Sequence, residues 1–233
     1  MADFSDIDAL SKHLRVRLQQ PLPGVEAQAR FSPRPPRRDP FARDVPADAR
    51  PAAALILLYP HTHGLTIPLT VRRADLPQHA GQISLPGGRL DPGETPEAAA
   101  LREAEEEVGV NPSTVTLLGA LTPVYVAVSR FLVTPFVGIA HARPAFEIET
   151  REVSELLETP LNTLRDPSRL HWGHRTREGY LIDFPYFDLS ERRADDPPHS
   201  GHQVWGATAM MLGEFVALFD HAFSPPPPPP PRR

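Results

Sequence analysis

The chain has 233 residues and a hydrophobic content of 40%, enough to bury the core of one ordinary domain with extensions. Proline is unusually frequent at 30 residues, but together with the 14 glycines it stays below the roughly 25–30% of low-complexity sequences. The formal net charge of −5 offers no basic surface for nucleic acid. The absence of cysteine excludes a disulfide framework, a thiolate nucleophile and a zinc site built on cysteine.

The sequence predicts a cytoplasmic protein that contacts no membrane. Residues 1–20 contain acidic residues where a secretory signal has basic ones, and they lack an apolar centre. The longest apolar run, residues 52–59, is far shorter than the roughly 20 residues of a membrane-spanning helix.

Residues 1–51 are predicted to form an N-terminal helix and a connector. Apolar residues recur every three or four positions over residues 4–19, which indicates an amphipathic helix. Residues 20–51 are rich in proline and arginine and lack periodicity, which is typical of an extended connector.

The main domain is predicted to span residues 52–222. Residues 52–59 read as a buried strand, and residues 65–72 as a second strand paired with it, in which Pro68 favours an edge or a bulge. Residues 81–94 are predicted to contain a short strand and then a glycine-rich loop.

A helix is predicted next, from Thr95 to Val108. Thr95 is a suitable N-cap, Pro96 suits the first helical position, and Gly109 is a natural stop. Further elements are expected in this order: strands at 114–121 and 132–139, short helices at 151–157 and 161–165, a strand pair at 178–188, an apolar helix at 203–219, and a disordered polyproline tail at 223–233. Such an order predicts an α/β sandwich with a mixed sheet.

Three carboxylates share one face of the predicted helix, because Glu103, Glu106 and Glu107 are spaced by three and four residues. Like charges at this spacing repel each other, and a hard divalent cation such as Mg²⁺ would offset the repulsion. Arg102 could hold one carboxylate through a bidentate bond. A solvated acidic face is the more common interpretation of such a pattern alone, but the adjacent Gly87 and Gly88 favour a metal site.

The segment 88–110 resembles the Nudix box. Gly88, Glu94 and the run from Arg102 to Val110 match its fixed positions. The resemblance implies the Nudix fold, an α/β/α sandwich with a mixed sheet, and hydrolysis of a nucleoside diphosphate linked to another moiety.

The same resemblance implies residue roles. Mg²⁺ or Mn²⁺ would be held by Glu103, Glu106 and Glu107, with the carbonyl of Gly87 as a further ligand. Arg102 would orient the carboxylates, and Glu94 would be mainly structural. The general base is left open between Glu103 in the box and Glu152 or Glu155 outside it.

Flanking segments resemble the coenzyme A pyrophosphatase subfamily over roughly residues 50–220. The matching segments are 69–72, 79–88, 118–119, 131–138, 152–153, 160–161 and 204–209. Arg73, Pro77 and Leu85 depart from that pattern, and Pro77 replaces an arginine. The residues expected to contact the substrate are Arg72, His79, Gln82 and Gly88, with Arg73 as a further candidate for a phosphate.

The expected reaction is hydrolysis of coenzyme A or an acyl derivative to 3′,5′-ADP and 4′-phosphopantetheine. Another nucleoside diphosphate derivative, such as ADP-ribose, is the alternative within the enzyme class. A catalytically silent Nudix domain that binds a nucleotide as a regulator is the alternative of another class. A homodimer is expected from the resemblance alone.

Overall fold

The computed structural model describes residues 6–35, 45–62, 64–76, 81–177, 180–190 and 201–228. The chain forms two compact units, one made of Met1–Leu22 and Val45–Asn162, the other of Pro23–Asp44 and Thr163–Arg233. The predicted boundaries after residues 51 and 222 do not coincide with this grouping. No helix among the described residues is long and apolar enough to cross a membrane.

The helices and strands account for most of the described chain. The helices are α1 (Ile7–Leu18), α2 (Gly24–Arg30), α3 (Pro96–Val108), α4 (Leu161–Arg165) and α5 (Gly206–Ala217). The strands are β1 (Arg50–His61), β2 (Gly64–Arg72), β3 (Ile83–Ser84), β4 (Gly87–Arg89), β5 (Thr116–Ala120), β6 (Val124–Val126), β7 (Phe131–Ile139), β8 (Val153–Pro160), β9 (Leu170–Arg177), β10 (Tyr180–Asp188) and β11 (Gln203–Trp205).

An eight-stranded mixed sheet forms the first unit. Its main path runs β3-β2-β1-β7-β5, with β4 paired to β1, β6 to β7 and β8 to β2. The central pair β1 and β7 is parallel, whereas the other pairs are antiparallel. The predicted α/β fold with a mixed sheet is therefore confirmed.

Helix α3 covers one face of this sheet. Alternate residues of β1 pack against the small side chains of α3 in one buried cluster, which includes Ala53, Leu55, Leu57, Tyr59, Ala99, Ala100, Ala104 and Val108. The intervening residues of β1 are also buried, because successive side chains of a strand point to opposite faces and both faces are covered. This packing holds the opposite, acidic side of α3 in a fixed place.

The prediction of a helix at 151–157 is wrong, because these residues begin strand β8. Strand β8 pairs with β2 from Thr66–Pro160 to Arg72–Val153, with a register shift after Val71. The sequence of β8 is compatible with either element, and the pairing with β2 decides in favour of the strand. Pro68 lies in the gap between the segments of β2 that pair with β1 and with β3.

The second unit contains a helix that the prediction of a structureless connector missed. Helix α2 lies within residues 20–51, and the buried carboxylate of Glu214 on α5 accepts hydrogen bonds from Gly24 N at 3.1 Å and Gln28 Nε2 at 2.6 Å. Because these partners lie about 190 residues apart in the chain, no local pattern could indicate the helix.

Strands β9, β10 and β11 form the sheet of the second unit. The strand pair predicted within 178–188 is wrong: Tyr180–Asp188 form the single strand β10, which pairs with β9 at Leu170–Arg177. The helix predicted at 203–219 begins at Gly206, and its first three predicted residues instead form β11. The helix predicted at 161–165 is confirmed as α4.

Candidate metal and diphosphate site

The capping of α3 follows the sequence prediction. The Thr95 hydroxyl accepts a hydrogen bond from Ala98 N at 3.3 Å, Pro96 is the first helical residue, and Gly109 closes the helix in the left-handed region at φ 73°. A Cβ at Gly109 would lie 2.8 Å from Glu147 N, so glycine is required there for space as well as for conformation. These caps fix where the helix that carries the glutamates begins and ends.

Strand β4 brings two glycines against β1 and α3, where the sequence predicted a loop. A Cβ at Gly87 would lie 2.4 Å from the carbonyl oxygen of Ala53, and one at Gly88 would lie 2.5 Å from the carboxylate of Glu103. Any larger residue would push either the sheet or the carboxylate aside. The glycines therefore make room for close approach rather than for a flexible loop.

Arg102 organises the acidic side of α3. Its guanidinium binds Glu94 through two hydrogen bonds, of 2.9 and 3.0 Å, and reaches Glu103 at 2.9 Å and Glu106 at 3.1 Å. It also donates to the carbonyl oxygen of Arg89 at 3.0 Å. One cation thus joins β4, the turn before α3 and two of the predicted metal ligands, and Glu94 has the structural role expected for it.

This ion-pair network shifts the protonation equilibria of its members. The hydrogen bond from Arg102 lowers the pKa of Glu94, and the same bond raises the pKa of Arg102. Both groups are therefore charged at neutral pH, and the clamp persists across the physiological range.

Glu107 is the most buried of the three predicted ligands, with 8% of its surface exposed. Its carboxylate accepts a hydrogen bond from Gly87 N at 3.3 Å. Burial first, and then the charges of Glu103 and Glu152, raise its pKa to about 8, against the opposing effects of the Gly87 N–H and of Arg72. Burial therefore disfavours the charged form of this carboxyl, and a cation bound beside it would favour that form.

Glu103 and Glu106 differ in exposure. The Glu103 side chain is 16% exposed and that of Glu106 is 60% exposed. Burial raises the pKa of Glu103, opposed by Arg102 and reinforced by the charges of Glu106 and Glu152. Glu152, which lies outside the box, therefore acts on the same charge cluster as the helix glutamates.

Arg72 and Glu152 face each other at the end of β2. Arg72 Nη1 lies 3.4 Å from Glu152 Oε2, at the limit of a hydrogen bond. The Nε atom of Arg72 is buried and has no hydrogen-bond partner among the described residues. A buried N–H without an acceptor is costly, so this guanidinium is suited to receive an anionic oxygen from outside the chain.

Arg73 is used differently from the expected phosphate contact. Its guanidinium binds Asp75 through two hydrogen bonds, of 2.8 and 2.7 Å, and donates to the carbonyl oxygen of Thr150 at 3.0 Å. Its backbone N–H donates to the carbonyl oxygen of Glu152 at 3.0 Å. Arg73 therefore holds the turn that carries Glu152. The sequence gives no sign of this function except that Arg73 departs from the subfamily pattern.

The segment before Glu152 is also attached to the end of α3. Glu147 N donates to the carbonyl oxygen of Val108 at 3.1 Å, and Glu149 N donates to that of Glu107 at 2.9 Å. These bonds satisfy carbonyls that a helix C-terminus leaves unpaired. As a result, Glu152 and the helix glutamates are joined by backbone hydrogen bonds that sequence reasoning missed.

The structure describes some of the other predicted site residues and not all of them. The carbonyl oxygen of Gln82 accepts a hydrogen bond from Arg72 N at 2.9 Å, which places Gln82 beside the candidate site. Glu155 is exposed on β8, opposite Val71 of β2. His79 and Pro77 lie outside the described residues.

The donor set fits a divalent cation. Within the described part of the chain, no three acidic or histidine side chains are gathered as a ready metal-binding cluster. Arg102 engages Glu103 and Glu106, while burial raises the pKa of Glu107, whose charged form a bound cation would favour. Carboxylate oxygens in such a place are the ligands that Mg²⁺ and Mn²⁺ prefer.

The chain belongs to the NUDIX domain family, whose model matches residues 49–176, more than half of the chain. Proteins of this family generally use divalent metal ions. The matched range contains the glycine strand, the glutamate helix and the turn with Glu152.

Individual relatives agree with this assignment. "Nudix hydrolase 3" of Caenorhabditis elegans is 34% identical over 160 residues, which cover 65% of this chain and 66% of that protein. The Pectobacterium atrosepticum protein named "Uncharacterized Nudix hydrolase NudL" is 42% identical over 129 residues, covering 52% of this chain and 66% of that protein. The matches therefore span just under two thirds of both relatives.

A similar solved structure is the NUDIX domain of Shewanella oneidensis NrtR in complex with ADP-ribose. It is 24% identical, has a TM-score of 0.40, and the match covers 54% of this chain and 80% of that chain.

Proposed function

We propose that this protein is a Nudix pyrophosphohydrolase that uses Mg²⁺ or Mn²⁺ to cleave the diphosphate bond of coenzyme A or an acyl derivative. The products are 3′,5′-ADP and the corresponding 4′-phosphopantetheine. The observation that carries this proposal is the placement of three carboxylates on α3 beside β4: Arg102 binds Glu103 and Glu106, and Gly87 N donates to Glu107.

The residues of the cluster divide the work between binding and orientation. Glu103, Glu106 and Glu107, with the Gly87 carbonyl, would hold the cation, which when bound would neutralise the diphosphate and make water more acidic. Arg102 fixes the directions of the carboxylates through bonds of 2.9 to 3.1 Å. Such preorganisation means that little has to rearrange when the substrate arrives.

Glu152 is the general base in this proposal. Its charge acts on both Glu103 and Glu107, and its side chain is 54% exposed, so it can meet a water molecule at the rim of the cluster. Glu103 is packed against Gly88 and bound by Arg102, which suits a ligand better than a proton acceptor. Glu152 takes the proton of the attacking water as the water oxygen bonds to one phosphorus, the bridging P–O bond of the diphosphate breaks, and the other phosphate leaves with the second product.

Coenzyme A is the favoured substrate because the segments that flank the box resemble coenzyme A pyrophosphatases. Arg72, whose buried Nε lacks a partner among the described residues, supplies a donor for a phosphate oxygen of the substrate. The guanidinium of Arg73 binds Asp75 and Thr150, so it does not serve as a basic group for a substrate phosphate. Pro77, which replaces an arginine of the subfamily pattern, does not supply one either. This departure favours a second candidate substrate without a 3′-phosphate, ADP-ribose.

A substrate panel tests the proposal. Coenzyme A, dephospho-coenzyme A and ADP-ribose are each assayed with Mg²⁺ and with Mn²⁺, using wild type, Glu106→Gln and Glu105→Gln. We expect hydrolysis of coenzyme A by wild type and Glu105→Gln, and its loss in a folded Glu106→Gln protein.

The panel also separates the alternatives. Preference for ADP-ribose would replace the coenzyme A assignment and retain the enzyme class. Tight binding of a nucleotide without turnover of any diphosphate would overturn the enzyme proposal in favour of a regulatory domain. The homodimer and the cytoplasmic location stay predictions from the sequence.

A further inference from the structure

The proline-rich end of the chain is held at several points by hydrogen-bond donors of the second unit. Arg30 Nη1 donates to the carbonyl oxygens of His221 at 2.7 Å and of Phe223 at 3.1 Å. Trp172 Nε1 donates to the carbonyl oxygen of Pro226 at 2.7 Å. This part of the predicted tail therefore follows a defined surface.

A stack of aromatic rings anchors the start of the tail. Phe223 is 4% exposed, and its ring lies 6.2 Å from that of Phe31 and 6.1 Å from that of Phe187. The rings of Phe31 and Phe187 are themselves stacked at 5.2 Å. Because this anchor belongs to the core of the second unit, the prolines that follow leave it from a fixed point.

Trp172 is held in place by its own surroundings. It lies on β9 opposite Pro185 of β10, and the guanidinium of Arg34 lies 5.3 Å from the centre of its ring. The backbone of Arg34 is bonded to that of Asp183 in both directions, at 2.7 and 2.9 Å. Strand and cation thus fix the indole with its N–H directed at Pro226.

The surface and the tail are chemically complementary. Proline has no N–H, so the run Pro225–Pro231 offers only carbonyl acceptors and apolar ring edges. The surface offers a matching donor, the indole N–H of Trp172, which binds the carbonyl oxygen of Pro226. The run favours a polyproline II helix with three residues per turn, and Phe223 and Pro226 are three residues apart. Aromatic grooves with such donors are a general way of binding proline-rich segments.

We propose that Trp172 is the centre of a polyproline-binding surface that the chain's own tail occupies, with Arg30 and the Phe223 anchor setting where the proline run begins. The surface recognises proline-rich segments in the polyproline II conformation as a class, and the tail is its ligand within the same chain. A tethered ligand acts at a high effective concentration, so a separate proline-rich segment competes poorly while the tail is present.

Tryptophan fluorescence tests this proposal, because Trp172 and Trp205 are the two tryptophans of the chain. In a Trp205→Phe protein, all of the tryptophan fluorescence comes from Trp172. We expect that ending this chain at Ser224 shifts the Trp172 emission to longer wavelength and increases its quenching by acrylamide. A synthetic seven-proline peptide should reverse the shift saturably, and bind the shortened chain roughly 10-fold or more tightly than the full chain.

Two controls protect the test from trivial outcomes. In a Trp172→Phe protein, where Trp205 reports, the same truncation should leave the emission unchanged. A full-length Trp205→Phe chain whose seven prolines are replaced by glycine and serine should behave like the truncated one and keep its circular dichroism spectrum. Unchanged Trp172 emission after truncation, or peptide that fails to bind or binds equally with and without the tail, would overturn the proposal.

Discussion

The glutamate helix and the segment that follows β7 both supply carboxylates to the candidate site, yet they are stabilised in different ways. Helix α3 is delimited by its own residues, with Thr95 at one end and Gly109 at the other. The segment from 141 to 160 is held largely by partners outside itself: strand β8 pairs with β2, and Arg73 donates to the carbonyl oxygen of Thr150 at 3.0 Å.

This difference shows where the site is robust and where it depends on assembly. The helix presents its glutamates wherever the caps and the apolar stripe are present. Glu152, in contrast, reaches the cluster only because Arg73 and the end of α3 hold its turn. Substitutions of the helix glutamates should therefore weaken metal binding. Substitutions in the turn with Glu152 should lower the catalytic rate and leave metal binding unchanged.

The largest effect is expected for Glu107→Gln. The substitution keeps the shape and removes the buried charge that the cation would neutralise. Losing about 4 kcal/mol of transition-state stabilisation corresponds to a roughly 10³-fold fall in kcat/KM. Mn²⁺ binding, measured by electron paramagnetic resonance, should weaken as well, whereas Glu105→Gln on the same helix should change neither. Normal Mn²⁺ binding by Glu107→Gln would show that Glu107 is not a ligand.

Glu152→Gln tests the role of the turn separately from that of the helix glutamates. We expect kcat to fall by about 10²–10³-fold, as is usual when a general base is removed, with KM and Mn²⁺ binding unchanged. Glu149→Gln, in the same turn and paired with Arg151, is the matched control and should keep its activity. If Glu152→Gln kept the wild-type kcat, Glu152 would not be the general base, and the role would be assigned to Glu103.

Gly88→Ala tests the close approach of β4 to the helix. The new Cβ would lie 2.5 Å from the Glu103 carboxylate and must displace it. A displacement of about 1 Å at a reacting centre costs about 10²-fold in rate, and we expect a fall of that order. Gly93→Asn is the control, since a Cβ at Gly93 meets nothing within 4 Å and asparagine tolerates its φ of 82°. Equal activity of the two variants would contradict the steric argument.

Arg73→Gln should have a smaller effect, through Glu152 alone. Loss of the bonds to Asp75 and Thr150 loosens the turn, and we expect kcat to fall about 10-fold without a change in KM or Mn²⁺ binding. The effect should disappear in the Glu152→Gln background, because the two residues act in sequence.

Arg143→Gln is the matched control for Arg73→Gln. Both arginine side chains are 43% exposed and both form a two-bond ion pair with a carboxylate. Arg143 lies at the other end of the segment, so its substitution should leave kcat unchanged. An equal loss in both variants would mean that the segment as a whole, rather than the Glu152 turn, needs the arginines.

Removal of residues 224–233 should have the smallest effect. The tail belongs to the second unit and carries no residue of the candidate site, so hydrolysis should be unchanged in a steady-state assay of the truncated chain. A large fall in kcat would show that the tail supports catalysis.

Much of the candidate site can be predicted from the sequence because its signals are local. The spacing of Glu103, Glu106 and Glu107 is informative because side chains three and four residues apart on a helix are neighbours. The caps of α3 and the glycine pair lie close to these glutamates in the chain, so they can be read in the same way. The role of Arg73 could not be predicted, because its partner Thr150 is 77 residues away.

The sequence by itself determined the Nudix box, the strands around it and the acidic face of α3. Each of these features depends on neighbouring residues or on simple periodicity. Only the tertiary structure decided that residues 153–160 form a strand, that α2 exists and that the charge of Glu152 acts on Glu103 and Glu107. The physical reason is the same in all three cases: the stabilising hydrogen bonds and charges come from residues distant in the chain, and such partners outweigh local propensity.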